Sequence, residues 1–97
     1  MNILDAIGDT TLVELKRVVP SGSARVMAKL EWVNPTGSVK DRMARAAVEG
    51  AEARSDLTLG GTVVEYTGST TGVSLAFVCA AKGYRLRITQ RLGPRRW

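Results

Sequence analysis

Residues 62–89 read TVVEYTGSTTGVSLAFVCAAKGYRLRIT, and this stretch decides the fold. Thr62–Tyr66 is short and rich in β-branched residues, the composition of a buried strand. Thr67–Gly72 is a run of small hydroxyl residues and glycine, which reads as a loop. Val73–Lys82 is apolar nearly all round and predicts a well-buried helix. Gly83 is its natural stop, because glycine takes the left-handed cap conformation without a Cβ penalty. Tyr84–Thr89 is a second strand. Strand, helix and strand in succession form a unit whose strands run parallel, joined by a right-handed crossover.

The alternation continues toward the N-terminus. Arg25–Glu31 (RVMAKLE) predicts a strand. Asn34 is extended, because the residue before proline is pushed out of the α region. A helix then begins near Ser38, a good N-cap. Asp41 stands three residues on, as in a capping box, and reads as cap and surface charge. Val39, Met43, Ala46, Ala47 and Gly50 recur at helical spacing as its apolar face, and the helix fades near Arg54–Asp56. Residues 10–16 (TTLVELK) form a short extended segment, and Pro20–Ser23 a turn. The expected fold class is α/β, a partial open parallel sheet in the order β-α-β-α-β.

Composition narrows the chemistry. The chain has 97 residues, 44% hydrophobic and 24% charged, which fits one globular domain at most. It contains no histidine, so a Ser-His-Asp triad, a Cys-His pair and a His-ligated metal are excluded within it. The single Cys79 cannot close an internal disulfide and reads as a core thiol. The longest apolar run, Leu75–Ala81, is far shorter than the roughly 20 residues that span a bilayer. The opening MNILDAIGD carries Asp5 and Asp9 and no basic residue, unlike a signal peptide. A cytoplasmic chain without a membrane partner is expected. From Arg85 onward there are only basic charges, Arg85, Arg87, Arg91, Arg95 and Arg96, so the whole net charge of +5 sits at that end. The rest is balanced, and nucleic acid is not an expected partner.

Two loops offer chemistry. Asn34–Arg42 (NPTGSVKDR) puts Lys40 in the first turn of a helix, whose dipole disfavours an ammonium. A lysine held as the free amine is a ready Schiff-base nucleophile, while a surface lysine on a first turn is the plain alternative. Thr67–Gly72 (TGSTTG) precedes a helix whose first N–H groups point outward, so it suits a carboxylate or phosphate. Its hydroxyls could equally do no more than cap the helix. The loop is neither a P-loop nor a GxGxxG.

Together these segments resemble one family. NPTGSVKDRMA, preceded by AKLEW, is similar to the lysine motif of the cysteine synthase and cystathionine β-synthase family. Its members are pyridoxal-phosphate enzymes of the tryptophan-synthase-β fold. IGDTTLVELKRV resembles the family's opening segment, with Thr10-Thr11 where Thr-Pro is usual. EYTGSTTGVSLAFVCAAKGYRLRI resembles its substrate loop and following helix.

The resemblance implies that Lys40 forms a Schiff base with pyridoxal 5'-phosphate and later moves the proton of the substrate α-carbon. Thr67, Gly68, Ser69 and Thr71 would hold the α-carboxylate of a small amino-acid substrate. Thr70 stands where the family's loop, Thr-Ser-Gly-Asn-Thr-Gly, has the asparagine that bonds the cofactor's phenolic oxygen. The implied reaction is β-replacement on an activated serine, with sulfide or a thiol as the incoming group, in homodimers of longer, two-domain chains.

The likeness fades after Thr89. Residues 1–90 are therefore expected to be the N-terminal portion of such an enzyme. Residues 91–97 are expected to be an unrelated basic tail from truncation or a frameshift. The alternatives are an inactive remnant, a module completed by a partner, and an anion-binding α/β domain.

Overall fold

The computed structural model describes residues 1–91. Its elements are β1 (Leu12–Leu15), β2 (Val26–Lys29), α1 (Lys40–Ala53), β3 (Thr62–Tyr66), α2 (Thr70–Lys82) and β4 (Arg85–Thr89). Short 3-10 turns at Ile3–Ala6 and Glu31–Val33 precede β1 and α1. The basic tail beyond Arg91 lies outside the described residues.

The βαβ unit forms as its sequence predicts. β3 and β4 are parallel, in register from Thr62 against Arg85 to Tyr66 against Thr89, and α2 connects them. Gly83 caps α2 in the left-handed region at φ 80°, and its N–H donates to the Cys79 carbonyl. The fold is α/β. β2 does not extend the parallel series. It turns back through Pro20–Ser23 and pairs antiparallel with β1, Leu12 opposite Lys29. Strands joined by a short connection can pair only antiparallel, and Asn34-Pro35 then separates this hairpin from α1.

α1 is alanine-rich and carries an Arg45–Glu49 pair at 3.0 Å, one helical turn apart. Its buried face differs from the expected one. Asp41, Ala44 and Val48 are buried, whereas Val39 and Met43 are exposed. The expected apolar face is rotated away from the true one because the anchor of the true face is polar. The Asp41 carboxyl accepts the Thr36 N–H at 2.8 Å, the Thr36 hydroxyl, and the Ser74 hydroxyl of α2 at 2.6 Å. Asp41 and Ser74 are both at 0% exposure, so water does not compete for these bonds. Behind this contact Ala44, Val48, Leu75, Val78, Cys79 and Leu4 make the core.

α2 is not buried all round. Leu75, Val78 and Cys79 face α1 and the sheet, while Val73 and Ala76 are exposed. At the far ends of the helices, Glu52 of α1 accepts from Lys82 and from the Tyr84 hydroxyl, each at 2.7 Å. Lys82 first, then Tyr84, holds the Glu52 carboxyl below its ordinary range, and Glu52 pushes the Tyr84 phenol up.

The hairpin is tied on by polar contacts. Arg42 of α1 grips Glu31 with Nε at 2.8 Å and an Nη at 3.0 Å. Thr10 and Asn34 donate to the same carboxylate, and the Asn34 side chain accepts the Gly8 N–H. The Cα radius of gyration is 17.4 Å, against about 13 Å for a compact chain of this length. The described residues therefore do not close on themselves. The sheet face bearing Val64 and Tyr66 is open, with those side chains 62% and 66% exposed. Parallel sheets are ordinarily covered on both faces.

Two expectations follow. Ser74→Ala removes a buried donor to Asp41 and should lower stability by about 1.5–3 kcal/mol in urea unfolding. Arg42, helped by Thr10 and Asn34, holds the Glu31 carboxyl at about 2, below the ordinary 4.5. A depressed folded-state value contributes stability above pH 4.5 that is lost as the pH falls toward 2. Urea midpoints should drop across that interval, and Glu31→Gln should flatten this part of the profile.

Candidate functional site

The site is built where α1 and α2 begin. Lys40 is the first residue of α1, and its N–H donates to the Ser38 hydroxyl at 3.0 Å. Its side chain is exposed, and its amine pairs with no carboxylate among the described residues. Lys40 is covalently next to Asp41, which is bonded to Ser74 in the second turn of α2. The lysine-bearing end of α1 is thus held against the N-terminal end of α2.

α2 starts three residues earlier than its apolar run suggests, at Thr70 rather than Val73. Only Thr67, Gly68 and Ser69 form the loop proper, and Thr70, Thr71 and Gly72 are the first helical turn. Of this first turn Thr70 is exposed, Thr71 half-buried and Gly72 buried, so it carries no run of apolar side chains. Ser69, the cap residue, is extended at φ −145° and makes no side-chain cap. Thr67 Oγ1 accepts weakly from the Ser69 N–H at 3.4 Å, and the Gly72 N–H donates to the Ser69 carbonyl at 3.0 Å. The N–H groups of Thr70 and Thr71 have no acceptor among the described residues. Two unpaired donors at the positive end of a helix suit an anion.

Thr67, Gly68 and Ser69 also line an open cavity of about 350 Å³ with Gly72, Val73, Ala76, Ile88 and Gln90. Gly72 makes this fit possible. A Cβ there would lie 3.0 Å from both Ile88 Cδ1 and Thr67 Cγ2, so the bare backbone lets α2 settle onto β4 and the loop. Lys40, Thr70 and Thr71 do not line that cavity. The structure therefore groups the singled-out residues in two sets. The loop residues share the cavity, and Lys40 is linked to α2 through its neighbour Asp41, which is bonded to Ser74.

Thr36, Asp41 and Ser74 were missed as site-building residues. The signal was present, since Asp41, Ala44, Val48 and Ala51 also recur at helical spacing. Gln90 gave no signal. Among the described residues no group of three His, Cys, Asp or Glu could hold a metal, and no helix is long and apolar enough to cross a membrane.

Comparison with known proteins identifies the family. The model of the "Pyridoxal-phosphate dependent enzyme" family matches residues 3–92. The chain belongs to this family. A cysteine synthase of Staphylococcus aureus is 51% identical over 88 residues, 91% of this chain and 28% of that protein. Cysteine synthase 1 of Emericella nidulans is 50% identical over 86 residues, 89% of this chain and 23% of that protein. The crystal structure of O-ureido-L-serine synthase superposes with a TM-score of 0.85 at 46% identity, over 92% of this chain and 28% of that one. The chain spans about a quarter of the length of the relatives it matches. Family membership brings the cofactor, pyridoxal phosphate. The donor set suits it, since Lys40 offers an accessible primary amine and α2 offers unpaired N–H groups.

Cys79 stands apart from this chemistry. It is 1% exposed, and burial pushes its thiol up. A water-soluble maleimide should therefore leave Cys79 unlabelled in the native protein and label it once denaturant is added.

Proposed function

We propose that this chain carries the lysine and the substrate-carboxylate loop of a pyridoxal-phosphate-dependent β-replacement enzyme of the cysteine synthase type. The observation that carries the proposal is the junction of the two helix starts. An amine with no carboxylate partner stands on α1 next to Asp41, and Asp41 is bonded to the helix whose Thr70 and Thr71 N–H groups are unpaired.

Pyridoxal phosphate, when bound, supplies an aldehyde that captures amines and a ring that accepts the electrons released at the substrate α-carbon. Lys40 would hold it through Nζ. Once displaced by the substrate's own amine, that Nζ would take the proton from the α-carbon and return it after the new bond is made. Thr67, Gly68, Ser69 and Thr71 would bind the substrate carboxylate, with the Thr71 N–H contributing directly. Thr70 would place its hydroxyl toward the cofactor's phenolic oxygen, a shorter reach than an amide.

The substrate is an activated serine, and the incoming group is sulfide or another thiol. The named activities of the similar proteins, cysteine synthase and O-ureido-L-serine synthase, support a small serine-derived substrate. The complete enzyme is read as a cytoplasmic homodimer, on the same resemblance.

The test is covalent. The chain is mixed with pyridoxal phosphate, reduced with borohydride and mapped by peptide mass spectrometry. Label is expected at Lys40 in the folded chain and not in Lys40→Ala. Even labelling of Lys16, Lys29, Lys40 and Lys82, equal in folded and denatured protein, would overturn the proposal.

A further inference from the structure

We infer that Asp41, acting through Thr36 and Ser74, is a positioning residue that fixes where Lys40 stands relative to the first turn of α2. The inference rests on the role proposed for Lys40 and deepens it. Three observations carry it.

First, the Lys40 side chain is exposed and has no carboxylate partner among the described residues, so its placement comes from its backbone. Second, that backbone is held one residue later. The Asp41 carboxyl accepts the Thr36 N–H at 2.8 Å, the Thr36 hydroxyl, and Ser74 Oγ at 2.6 Å. The Thr36 and Ser74 hydroxyls also stand 3.4 Å apart, so the three side chains close into one cluster. Third, the cluster spans three separate segments. Thr36 belongs to the loop before α1, Asp41 to its first turn, and Ser74 to α2, one helical turn beyond Thr70.

A slide or rotation of α1 against α2 would break these bonds inside a site where water cannot replace them, given 0% exposure of Asp41 and Ser74. The cluster thus fixes the Lys40 backbone, and with it the base of the side chain, relative to the N-terminal end of α2. A loss of placement on the ångström scale is enough to slow a positioned reaction by orders of magnitude.

The test uses the full chain and pyridoxal phosphate as the probe. The borohydride-trapped label at Lys40 is measured relative to Lys16, Lys29 and Lys82 in wild type, Thr36→Val, Thr36→Ser and Ser74→Ala. Maleimide protection of Cys79 reports that each variant is folded. Wild type and Thr36→Ser, which keeps the hydroxyl, are expected to prefer Lys40. Thr36→Val and Ser74→Ala are expected to lose roughly tenfold of that preference with Cys79 still protected. Rescue by serine but not by valine separates positioning from general packing.

Should Ser74→Ala expose Cys79, the Thr36 pair decides the matter. Thr36→Val with undiminished preference for Lys40 and a protected Cys79 would overturn the positioning role while leaving the function of Lys40 intact. Absence of any preference in wild type would overturn the role of Lys40 itself, and the positioning role with it.

Discussion

The structure depends on one buried carboxyl group. Asp41 takes hydrogen bonds from Thr36 and Ser74 with no exposure to solvent, and so joins two helices and the loop that precedes one of them. Without it, α1 would have no polar anchor onto α2 at its N-terminal end, and Ala44 and Val48 would have only small apolar contacts to set their register. Small residues pack closely but specify rotation poorly. A buried polar cluster, satisfied on every side, specifies it well. The same group therefore sets the packing of the core and the location of Lys40.

A second carboxylate does comparable work at the edge of the molecule. Glu31 gathers Arg42, Thr10 and Asn34, and through them ties the β1–β2 hairpin to α1. The hairpin has little apolar burial of its own, with Leu12 and Met27 exposed. Its attachment is electrostatic and local. The core, by contrast, is held by burial of Leu75, Val78 and Cys79.

The open surfaces are consistent with a chain spanning about a quarter of its relatives. Val64 and Tyr66 on the bare sheet face, and Val73 and Ala76 on α2, are apolar or aromatic positions that a larger fold of this family has scope to cover. Within the described residues the family fold is nonetheless kept, as the TM-score of 0.85 to O-ureido-L-serine synthase shows.

Much of this was determined by sequence alone. The βαβ unit from Thr62 to Thr89, the stop at Gly83 and the burial of Cys79 follow from local composition and periodicity, because each depends on neighbours a few residues apart. The NPTGSVKDR and TGSTTG segments likewise pointed to their family by residue identity. Tertiary structure decided the rest. The antiparallel partner of β2 is chosen by chain reversal between distant segments, which periodicity does not encode. The buried face of α1 is set by Asp41, and a carboxylate reads as surface charge until Ser74, thirty-three residues away, supplies its donor. The start of α2 at Thr70 was hidden because its first turn, Thr70, Thr71 and Gly72, has no apolar signal. Sequence singled out Lys40 and the loop by residue type and position. Only the packing of α1 on α2 could join the two helix starts, since the Asp41–Ser74 contact is made by side chains far apart in the chain.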